Sequence, residues 1–380
     1  MRYALVTETY PPEINVVALT VEGLVLGLRS RGHTVGIVRP RQALDADRLD
    51  DTLLVRGVPL PRYPGLRFGV PALRTLAAHW RAQRPDAIYI ATEGPLGWAA
   101  RRVARRLGIA IATGFHTRFD RYMRDYGAGF LEPVALAWMR RFHNAGDATI
   151  VATRELRDDL SSKRFANPVC VARAVDGALF HPGRRDAALR AQWGATDDTV
   201  VAIHVGRIAA EKNLALAIEA FDALQAARPD ARCVFVGDVP LRATLQRAHP
   251  DIVFTGVQRG DALARHFASA DLFLFPSRSE TFGNVVLEAL ASGVPTVAYD
   301  YGAAREHVRE GGALAPDGDA AGFIAAALRL GCDDGALHHA RNAARNAVAH
   351  LHPERVAAEF DALLQGLALE RSRHATAAVA

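Results

Sequence analysis

Short apolar runs rich in β-branched residues alternate along this chain with longer segments rich in Ala, Leu and Arg. In the longer segments the apolar positions recur every three to four residues, which predicts amphipathic helices. The short runs have the length and composition of buried strands. Because strands that alternate with helices form parallel sheets joined by crossover helices, the pattern predicts an α/β fold.

The predicted strands form two sets separated by a turn-rich segment. The first set is 3–7, 34–38, 87–91, 110–113 and 148–151, and the second set is 199–205, 232–236, 252–255, 272–275 and 296–298. Between the sets, residues 175–183 include Gly177 and Pro182, whose turn chemistry favours a linker. Each set is therefore predicted to form a doubly wound sheet of its own.

The length of the chain supports the same division. One hydrophobic core rarely extends past about 300 residues, so a chain of 380 residues is predicted to form two domains, 1–176 and 177–350. A helix within 351–367 follows both sheets and is a candidate for crossing back to the first domain. The last residues, 368–380, are predicted to be a frayed tail.

Composition places the chain among cytoplasmic proteins. Half of the residues are apolar, yet no apolar run approaches the ~20 residues of a membrane span. The chain opens on a strand-like run without the basic segment, long apolar stretch and cleavage site of an export signal. The three cysteines, Cys170, Cys233 and Cys332, lie far apart and are odd in number, which indicates free thiols in a reducing compartment.

Charge is distributed unevenly along the chain. Residues 1–176 hold 26 Lys and Arg against 17 Asp and Glu, whereas residues 177–380 hold 20 against 24. A basic first half favours an anionic partner, either a phosphate-bearing substrate or an acidic lipid surface. Segments 73–84 and 98–107 combine Trp with Arg and are candidates for peripheral contact with an anionic membrane; the alternative is an ordinary amphipathic surface helix. No RNA-binding signature or zinc-finger spacing is present, so nucleic acid is not an expected partner.

Residues 275–295 carry the richest chemistry, Phe-Pro-Ser-Arg-Ser-Glu-Thr-Phe-Gly-Asn followed by an apolar helical run. They predict a strand, a turn and a helix whose first amides, at Gly283 and Asn284, bind a diphosphate. Glu280 and Glu288 lie about two helical turns, or roughly 12 Å, apart. A carboxylate at each end can accept hydrogen bonds from the hydroxyls of one nucleotide sugar. The alternative is a Glu favoured by the helix dipole and a solvated Glu two turns later.

A second motif, residues 206–213, follows the strand that ends at Val205 and has the sequence Gly-Arg-Ile-Ala-Ala-Glu-Lys-Asn. Arg207 and Lys212 flank this strand-to-helix turn. Arg supplies a planar fork and Lys a point charge, and together they can neutralise a departing diphosphate. The alternative is a solvated loop in an Arg-rich protein.

Two further segments follow strands of the first domain. Residues 113–120 place His116 at the carboxyl end of a strand, where open α/β sheets bind ligands. Residues 7–17 form the loop after the first strand and are expected to line the acceptor side. The acceptor-side residues predicted from both segments are Asn15, Val16, Arg118 and Asp120. The alternatives are a structural histidine and a helix-capping aspartate.

Together these segments resemble the retaining glycosyltransferases of family 4, in particular the bacterial α-mannosyltransferase-like members. The resemblance spans nearly the whole chain. It rests on Glu280 and Glu288 within Pro-Ser-x-x-Glu-Thr-Phe-Gly-Asn and on Gly-Arg-x-x-x-Glu-Lys-Asn at 206–213. It implies the GT-B fold, in which two Rossmann-like domains face a central cleft.

The resemblance implies a role for each matched residue. Glu280 is expected to contact the donor-sugar hydroxyls, Glu288 the ribose, Arg207 and Lys212 the diphosphate, and His116 the sugar near its anomeric carbon. The implied catalytic set is His116, Arg207, Lys212 and Glu280. The implied donor-binding set is Gly206, Arg207, Lys212, Glu280, Phe282, Gly283, Asn284, Val285 and Glu288.

The resemblance also implies that anomeric configuration is retained without a protein nucleophile, a metal or another cofactor, because the leaving diphosphate helps to deprotonate the acceptor. Two Asp-x-Asp sequences, 45–47 and 317–319, superficially suggest a metal-dependent transferase, but both lie in polar stretches away from strand ends and are interpreted as turns. Four positions depart from the glycines usual in the family: Val16, Ala174, Val239 and Ala303. Ligand contacts at these loops are expected to differ.

The leading hypothesis is transfer of a hexose, with mannose from GDP-mannose as the best candidate, to a lipid, glycolipid or glycan acceptor. UDP-glucose and UDP-galactose are the alternative donors. A nucleotide-sugar epimerase on the same fold and a catalytically silent nucleotide-sugar-binding protein remain as alternatives from other classes.

Overall fold

The structure, a computed structural model, describes residues 1–13, 15–42, 45, 51–59, 67–116, 132–238, 242–278, 280 and 282–377. Contacts divide the chain into two compact units. Unit 1 is Met1–Arg173 together with Pro353–Ala380, and unit 2 is Ala174–His352. The C-terminal segment therefore belongs to the same unit as the N-terminal segment.

Unit 1 is built on a parallel sheet. Its strands are β1 (Arg2–Val6), β2 (Thr34–Pro40), β3 (Thr52–Val55), β4 (Gly57–Pro59), β5 (Arg67–Gly69), β6 (Ala87–Ile90), β7 (Ala110–Gly114), β8 (Ala148–Val151) and β9 (Pro168–Cys170). Its helices are α1 (Val16–Ser30), α2 (Leu73–Ala82), α3 (Pro95–Leu107), α4 (Glu132–His143), α5 (Arg154–Ser162) and, from the end of the chain, α14 (Pro353–Ala377). Among the described residues of unit 1, seven strands are ordered β3-β2-β1-β6-β7-β8-β9 and all pair in parallel, whereas β4 and β5 form a separate antiparallel pair. The strand order reverses between β1 and β6, which is where open α/β sheets bind ligands.

Unit 2 repeats this plan, with six strands in the part that the structure describes. They are β10 (Val201–Val205), β11 (Arg232–Val236), β12 (Ile252–Gly256), β13 (Leu272–Phe275), β14 (Thr296–Tyr299) and β15 (Gly312–Ala315). Its helices are α6 (Ala187–Gln192), α7 (Leu214–Ala227), α8 (Arg242–Ala248), α9 (Gly260–Ser269), α10 (Asn284–Ala291), α11 (Gly302–His307), α12 (Ala320–Cys332) and α13 (Asp334–Val348), with 3₁₀ turns at Pro182–Arg184, Ala210–Lys212 and Arg309–Gly311. The all-parallel order β12-β11-β10-β13-β14-β15 is that of a doubly wound nucleotide-binding sheet, with its switch point between β10 and β13.

The helices pack against the sheets through apolar side chains. In unit 1, α1 and α14 contribute Val25 and Phe360 to a core on one face of the sheet, and α2 and α3 contribute Trp80 and Val103 to a core on the other face. In unit 2, one large cluster joins Phe221 and its neighbours on α7 to the strands and α12. Within the described ranges, no helix is both long and apolar enough to cross a membrane.

The structure confirms the α/β class and contains all ten predicted strands. It adds the edge strands β3, β9 and β15 and the β4–β5 pair, which are short and, in β9 and β15, poor in the β-branched and aromatic residues that favour strands. The prediction of a frayed tail from residue 368 was wrong over 368–377, because α14 continues to Ala377 with Ala368 buried and Arg371 paired with Asp147.

Asp361 holds α14 against the rest of unit 1. Its buried carboxylate accepts hydrogen bonds from Tyr3 Oη at 2.8 Å, Arg31 Nε at 2.8 Å and His33 Nε2 at 2.9 Å. Burial favours the neutral acid, but these donors outweigh it and lower the pKa of Asp361 to about 2. A carboxylate with so many donors stabilises the fold only while it is charged.

Replacing Asp361 with Asn is expected to lower the free energy of unfolding by about 2 kcal/mol at pH 7, because donors in the core lose a charged acceptor. The pKa of Asp361 is depressed in the folded state, so this contribution is present above the unfolded pKa of about 3.9 and is lost as the pH falls toward 2. Denaturant titrations between pH 7 and pH 3 test this. Glu359→Gln, which removes an exposed pair with Arg355 on the same helix, is the control and should cost under about 0.5 kcal/mol. An equal loss in both variants would contradict the expectation.

Candidate active site

The two donor-side motifs meet at the switch point of unit 2. Strands β10 and β13 are neighbours, so the loop that begins at Gly206 and the turn that follows Phe275 leave the sheet side by side. Lys212 closes the 3₁₀ turn Ala210–Lys212, and its Nζ contacts Glu280 Oε1 directly. The same carboxylate oxygen accepts a hydrogen bond from Ser277 Oγ at 3.1 Å. Residues 68 positions apart in sequence thus form one ion pair at the ligand-binding edge.

This ion pair joins two residues that the sequence predicts to contact the donor. Lys212 is predicted to contact the diphosphate and Glu280 the sugar, and in the structure the two side chains contact each other. Both side chains remain partly exposed, at 16% and 20%, so a ligand can reach them. Arg207 is the freely accessible cation of the loop, with 67% of its side chain exposed and Glu211 Oε1 3.4 Å away.

The Tyr301 hydroxyl fixes the turn that carries Glu280. It accepts a hydrogen bond from the Glu280 amide at 3.1 Å and donates one to the Ser277 carbonyl at 2.7 Å. Tyr301 lies after β14, outside both motifs, and nothing in the sequence pattern singled it out. It is a tertiary support for Glu280.

Replacing Tyr301 with Phe is expected to lower glycosyl transfer roughly tenfold, since loosening the turn moves Glu280 away from its position. Protein stability should fall by about 1 kcal/mol, because the amide and the carbonyl lose their partner. Steady-state kinetics and thermal unfolding measure the two effects. Tyr299→Phe is the matched control, because the Tyr299 hydroxyl bonds neither Ser277 nor Glu280. Full activity in Tyr301→Phe would show that Tyr301 does not hold Glu280 in its active position.

Helix α10 begins at the predicted anion-binding point. Gly283 precedes it with φ 97°, a left-handed conformation that favours glycine, and no side chain of the described residues caps the helix. The Oδ1 atom of Asn284 is buried and has no hydrogen-bond partner among the described residues. Val285 is half-buried and Phe282 is buried beneath the turn. The sequence predicts that a phosphate binds the backbone amides of this first turn of α10.

Glu288 lies about one turn along α10 and is half-buried. The described residues offer its carboxylate no hydrogen bond or ion pair, and burial raises the pKa of Glu288 to about 7. An unpartnered carboxylate among apolar neighbours is costly, and ligand hydroxyls would remove that cost. This is the most direct sign of a ligand site in unit 2.

His116 stands at the carboxyl end of β7 in unit 1, as predicted, but both of its ring nitrogens are engaged. Tyr89 Oη lies 2.6 Å from Nε2, and Arg173 Nη2 lies 2.9 Å from Nδ1. Burial, with Arg173 and His143 nearby, lowers the pKa of His116 well below its usual value, so the ring is neutral at pH 7. Neither Tyr89 nor Arg173 was singled out as a partner of His116 by the sequence.

The remaining predicted positions fall in several environments. Asn15 caps α1 by accepting from the Ala18 amide at 2.9 Å, and Val16 begins the helix with half of its surface exposed. Ala303 is fully buried, and its amide donates to the Phe282 carbonyl at 2.9 Å. Arg118, Asp120 and Val239 lie outside the described residues. Ala174 is the first residue of unit 2.

The Asp-x-Asp sequences serve other purposes where the structure describes them. Asp45 pairs with buried Arg39 at 2.5 Å, Asp317 pairs with Arg278 at 2.8 Å, and Asp319 caps α12 through the Gly322 amide. Asp47 lies outside the described residues. Among the residues that the structure describes, no group of three or more His, Cys, Asp or Glu side chains could hold a metal ion.

Comparison with known proteins assigns the class. Residues 17–176 match the family model described as Glycosyltransferase Family 4, and residues 199–333 match the model described as Glycosyl transferases group 1. The GDP-mannose-dependent alpha-mannosyltransferase of Mycolicibacterium smegmatis is 36% identical over 339 residues, which are 87% of this chain and 88% of that protein. The sulfoquinovosyl transferase SQD2 of Arabidopsis thaliana is 31% identical over 278 residues, 71% of this chain and 54% of that protein.

A solved structure with the same fold is sucrose-phosphate synthase from Thermosynechococcus elongatus, with a TM-score of 0.75 at 20% identity over 96% of this chain and 98% of that chain. The protein is thus a glycosyltransferase with the GT-B fold. It belongs to glycosyltransferase family 4.

Proposed function

We propose that this glycosyltransferase moves mannose from GDP-mannose, with retention of anomeric configuration, to a lipid, glycolipid or glycan acceptor. The observation that carries a nucleotide-sugar site is the unpartnered, half-buried carboxylate of Glu288 on the helix whose N-terminus follows Glu280. The preference for GDP-mannose is supported by the name of the Mycolicibacterium smegmatis relative.

In this proposal the amides at Gly283 and Asn284 hold the diphosphate, and Glu288 accepts hydrogen bonds from the ribose hydroxyls. Gly206, Phe282 and Val285 complete the donor-binding set that the family resemblance implies. Arg207 and Lys212 stabilise the charge that develops on the diphosphate as its bond to the anomeric carbon breaks. Lys212 then interacts with a phosphate oxygen as well as with Glu280. Glu280 can therefore accept hydrogen bonds from the sugar hydroxyls.

The acceptor hydroxyl attacks the anomeric carbon on the face that the diphosphate leaves, and its proton passes to a diphosphate oxygen. The new C–O bond forms as the old one breaks, so configuration is retained without a covalent enzyme intermediate. The residues assigned to this step are cations and hydrogen-bond acceptors, and the proposal requires no metal or other cofactor.

A donor screen tests the proposal. GDP-mannose, UDP-glucose and UDP-galactose, with GDP and UDP, are compared for thermal stabilisation and hydrolysis on the native chain, Glu288→Gln and the control Glu219→Gln on the exposed face of α7. We expect GDP-mannose to stabilise the native chain and Glu219→Gln but not Glu288→Gln. Stabilisation by a UDP-sugar alone would show that the donor is that UDP-sugar and not GDP-mannose. Donor binding without turnover for any acceptor would indicate a catalytically silent binding protein. A rearranged sugar nucleotide formed without acceptor would indicate an epimerase.

Peripheral binding to the cytoplasmic face of an anionic membrane is part of the proposal for a lipid acceptor. On the surface of unit 1, Trp138 of α4 is 42% exposed and packs on Trp98, while the Arg101 guanidinium lies 4.2 Å from the Trp98 ring centroid. Exposed Arg102 and Arg105 extend this surface along α3. Aromatic and cationic side chains together suit a lipid headgroup region. Sedimentation with anionic vesicles at low salt should recover the native chain but not Trp138→Ala with Arg102→Glu; no binding of the native chain at low salt would end this part of the proposal.

A further inference from the structure

His116 is held in unit 1 by two side chains that belong to neither motif. Arg173 reaches it from the segment after β9 and donates a second hydrogen bond to Thr20 Oγ1 on α1. Tyr89 reaches it from β6. Arg173 is 6% exposed and Tyr89 1% exposed, so both contacts lie in the protein interior.

The chemistry of these partners fixes the proton on the ring. A guanidinium has donors and no acceptor, so Nδ1 must accept from Arg173 and carries no hydrogen. A neutral imidazole then carries its hydrogen on Nε2, which donates to Tyr89 Oη. The arrangement therefore selects one tautomer of His116 and excludes the imidazolium, which has no lone pair for Arg173.

The packing around the ring leaves little room for another arrangement. Tyr89 contacts Phe360 edge to face, with ring centroids 5.1 Å apart. A Cβ atom on Gly114 would lie 2.2 Å from Tyr89 Oη and 2.6 Å from His116 Nε2, so the close approach of the two rings requires glycine there. Tyr89 can therefore contact His116 beside β7 because residue 114 has no side chain.

The histidine nearest to this ring does not bond it. His143 of α4 lies near His116, and its own ring nitrogens contact Thr113 Oγ1 at 2.8 Å and Glu93 Oε1 at 3.1 Å. Among the described residues, Arg173 is thus the charged group that bonds His116 directly.

We propose that Arg173 is a positioning residue that holds His116 in the neutral tautomer protonated at Nε2 and fixes the plane of its ring. This inference rests on the proposed function, for which the family resemblance implies that His116 contacts the sugar near its anomeric carbon. It makes His116 a rigid, neutral side chain and excludes it as the base that deprotonates the acceptor. The acceptor proton goes to the diphosphate oxygen, as the proposed reaction already requires.

Three variants separate this role from simple structural support. Arg173→Met keeps most of the side-chain volume and removes the donor. Tyr89→Phe removes the acceptor at Nε2 and leaves Arg173 in place. Arg29→Met, on α1, is the control, because Arg29 bonds the Val35 carbonyl and not His116. Each is made in the full chain labelled with ¹⁵N-histidine, and a His116→Gln spectrum assigns the signals.

Long-range ¹H–¹⁵N spectra between pH 5.5 and 8 should show His116 in the native chain as a single tautomer with an unprotonated Nδ1 that does not titrate. Tyr89→Phe and Arg29→Met should keep this tautomer, whereas Arg173→Met should show mixed tautomers or a titrating ring. With GDP-mannose hydrolysis as the assay, Arg173→Met should lower kcat at least roughly tenfold with KM changed less than about twofold.

A protonated Nδ1 in the native chain, or an unchanged tautomer in Arg173→Met, would overturn the inference, as would a changed tautomer with native kcat. Should the native chain hydrolyse no donor, the proposed function fails while the spectra still decide whether Arg173 fixes the ring. The two failures are therefore distinguishable.

Discussion

Replacing Glu280 with Gln should lower glycosyl transfer about 100-fold or more while leaving the fold intact. Glutamine has the same shape, but it lacks the charge that pairs with Lys212 and strengthens the hydrogen bond from Ser277. In the proposed site the same charge strengthens the hydrogen bonds from the sugar hydroxyls. Loss of one preorganised electrostatic contact in an active site typically costs a factor of about 100 to 1,000 in kcat. Initial rates with GDP-mannose and the acceptor identified by screening measure the effect.

The coupling of Glu280 to Lys212 adds a second, independent readout. If the ion pair acts as a unit, Lys212→Met and the double variant should lose about as much activity as Glu280→Gln alone, because each change disables the same unit. Glu219→Gln, an exposed carboxylate on α7, should retain native activity. Activity losses that simply multiply in the double variant would show that the two side chains act separately.

The architecture follows from local features of the sequence. The buried strands are short runs that contain β-branched or aromatic residues, and the longer segments between them show a helical period. This alternation predicts parallel sheets without tertiary information. The edge strands β3, β9 and β15 were missed, whereas the edge strand β12 was predicted. The sequence of β15, Gly-Ala-Leu-Ala, has low strand propensity, and it forms a strand through its pairing with β14. The final helix was predicted too short because contacts with unit 1 stabilise its second half.

The candidate site was only partly predictable. Glu280, Glu288 and Lys212 stand in local motifs whose residue types already imply anion and hydroxyl binding. The contacts that hold them cannot be read locally, since Tyr301 meets Glu280 across 21 positions and Lys212 meets Glu280 across 68. His116 likewise depends on distant Tyr89 and Arg173. Periodicity predicts which residues share a face, whereas pairing between polar side chains from different strands depends on the folded sheet.

Replacing Asp271 with Asn should destabilise unit 2 by about 3 to 5 kcal/mol, the usual cost of removing one partner from a buried ion pair. The carboxylate lies at the centre of three arginines: Arg190 Nη1 is 2.8 Å from Oδ2, Arg185 Nη2 is 3.1 Å from Oδ1, and Arg341 also contacts Oδ1. Arg190 is 1% exposed, so its charge would stay buried without a counter-charge. Asp334→Asn, which removes an exposed pair with Arg228, is the matched control and should cost less than about 1 kcal/mol.

The pH dependence of this loss tests its electrostatic origin. Burial favours the neutral acid at Asp271, but the three arginines and the Val201 amide outweigh it and lower the pKa. A depressed folded-state pKa means that the ion cluster stabilises unit 2 above the unfolded pKa of about 3.9 and stops doing so as the pH falls through the folded value. The stability difference between the native chain and Asp271→Asn should therefore be full at pH 7 and shrink below pH 4. A difference that stays constant from pH 7 to pH 3 would mean that Asp271 acts through packing and not through its charge.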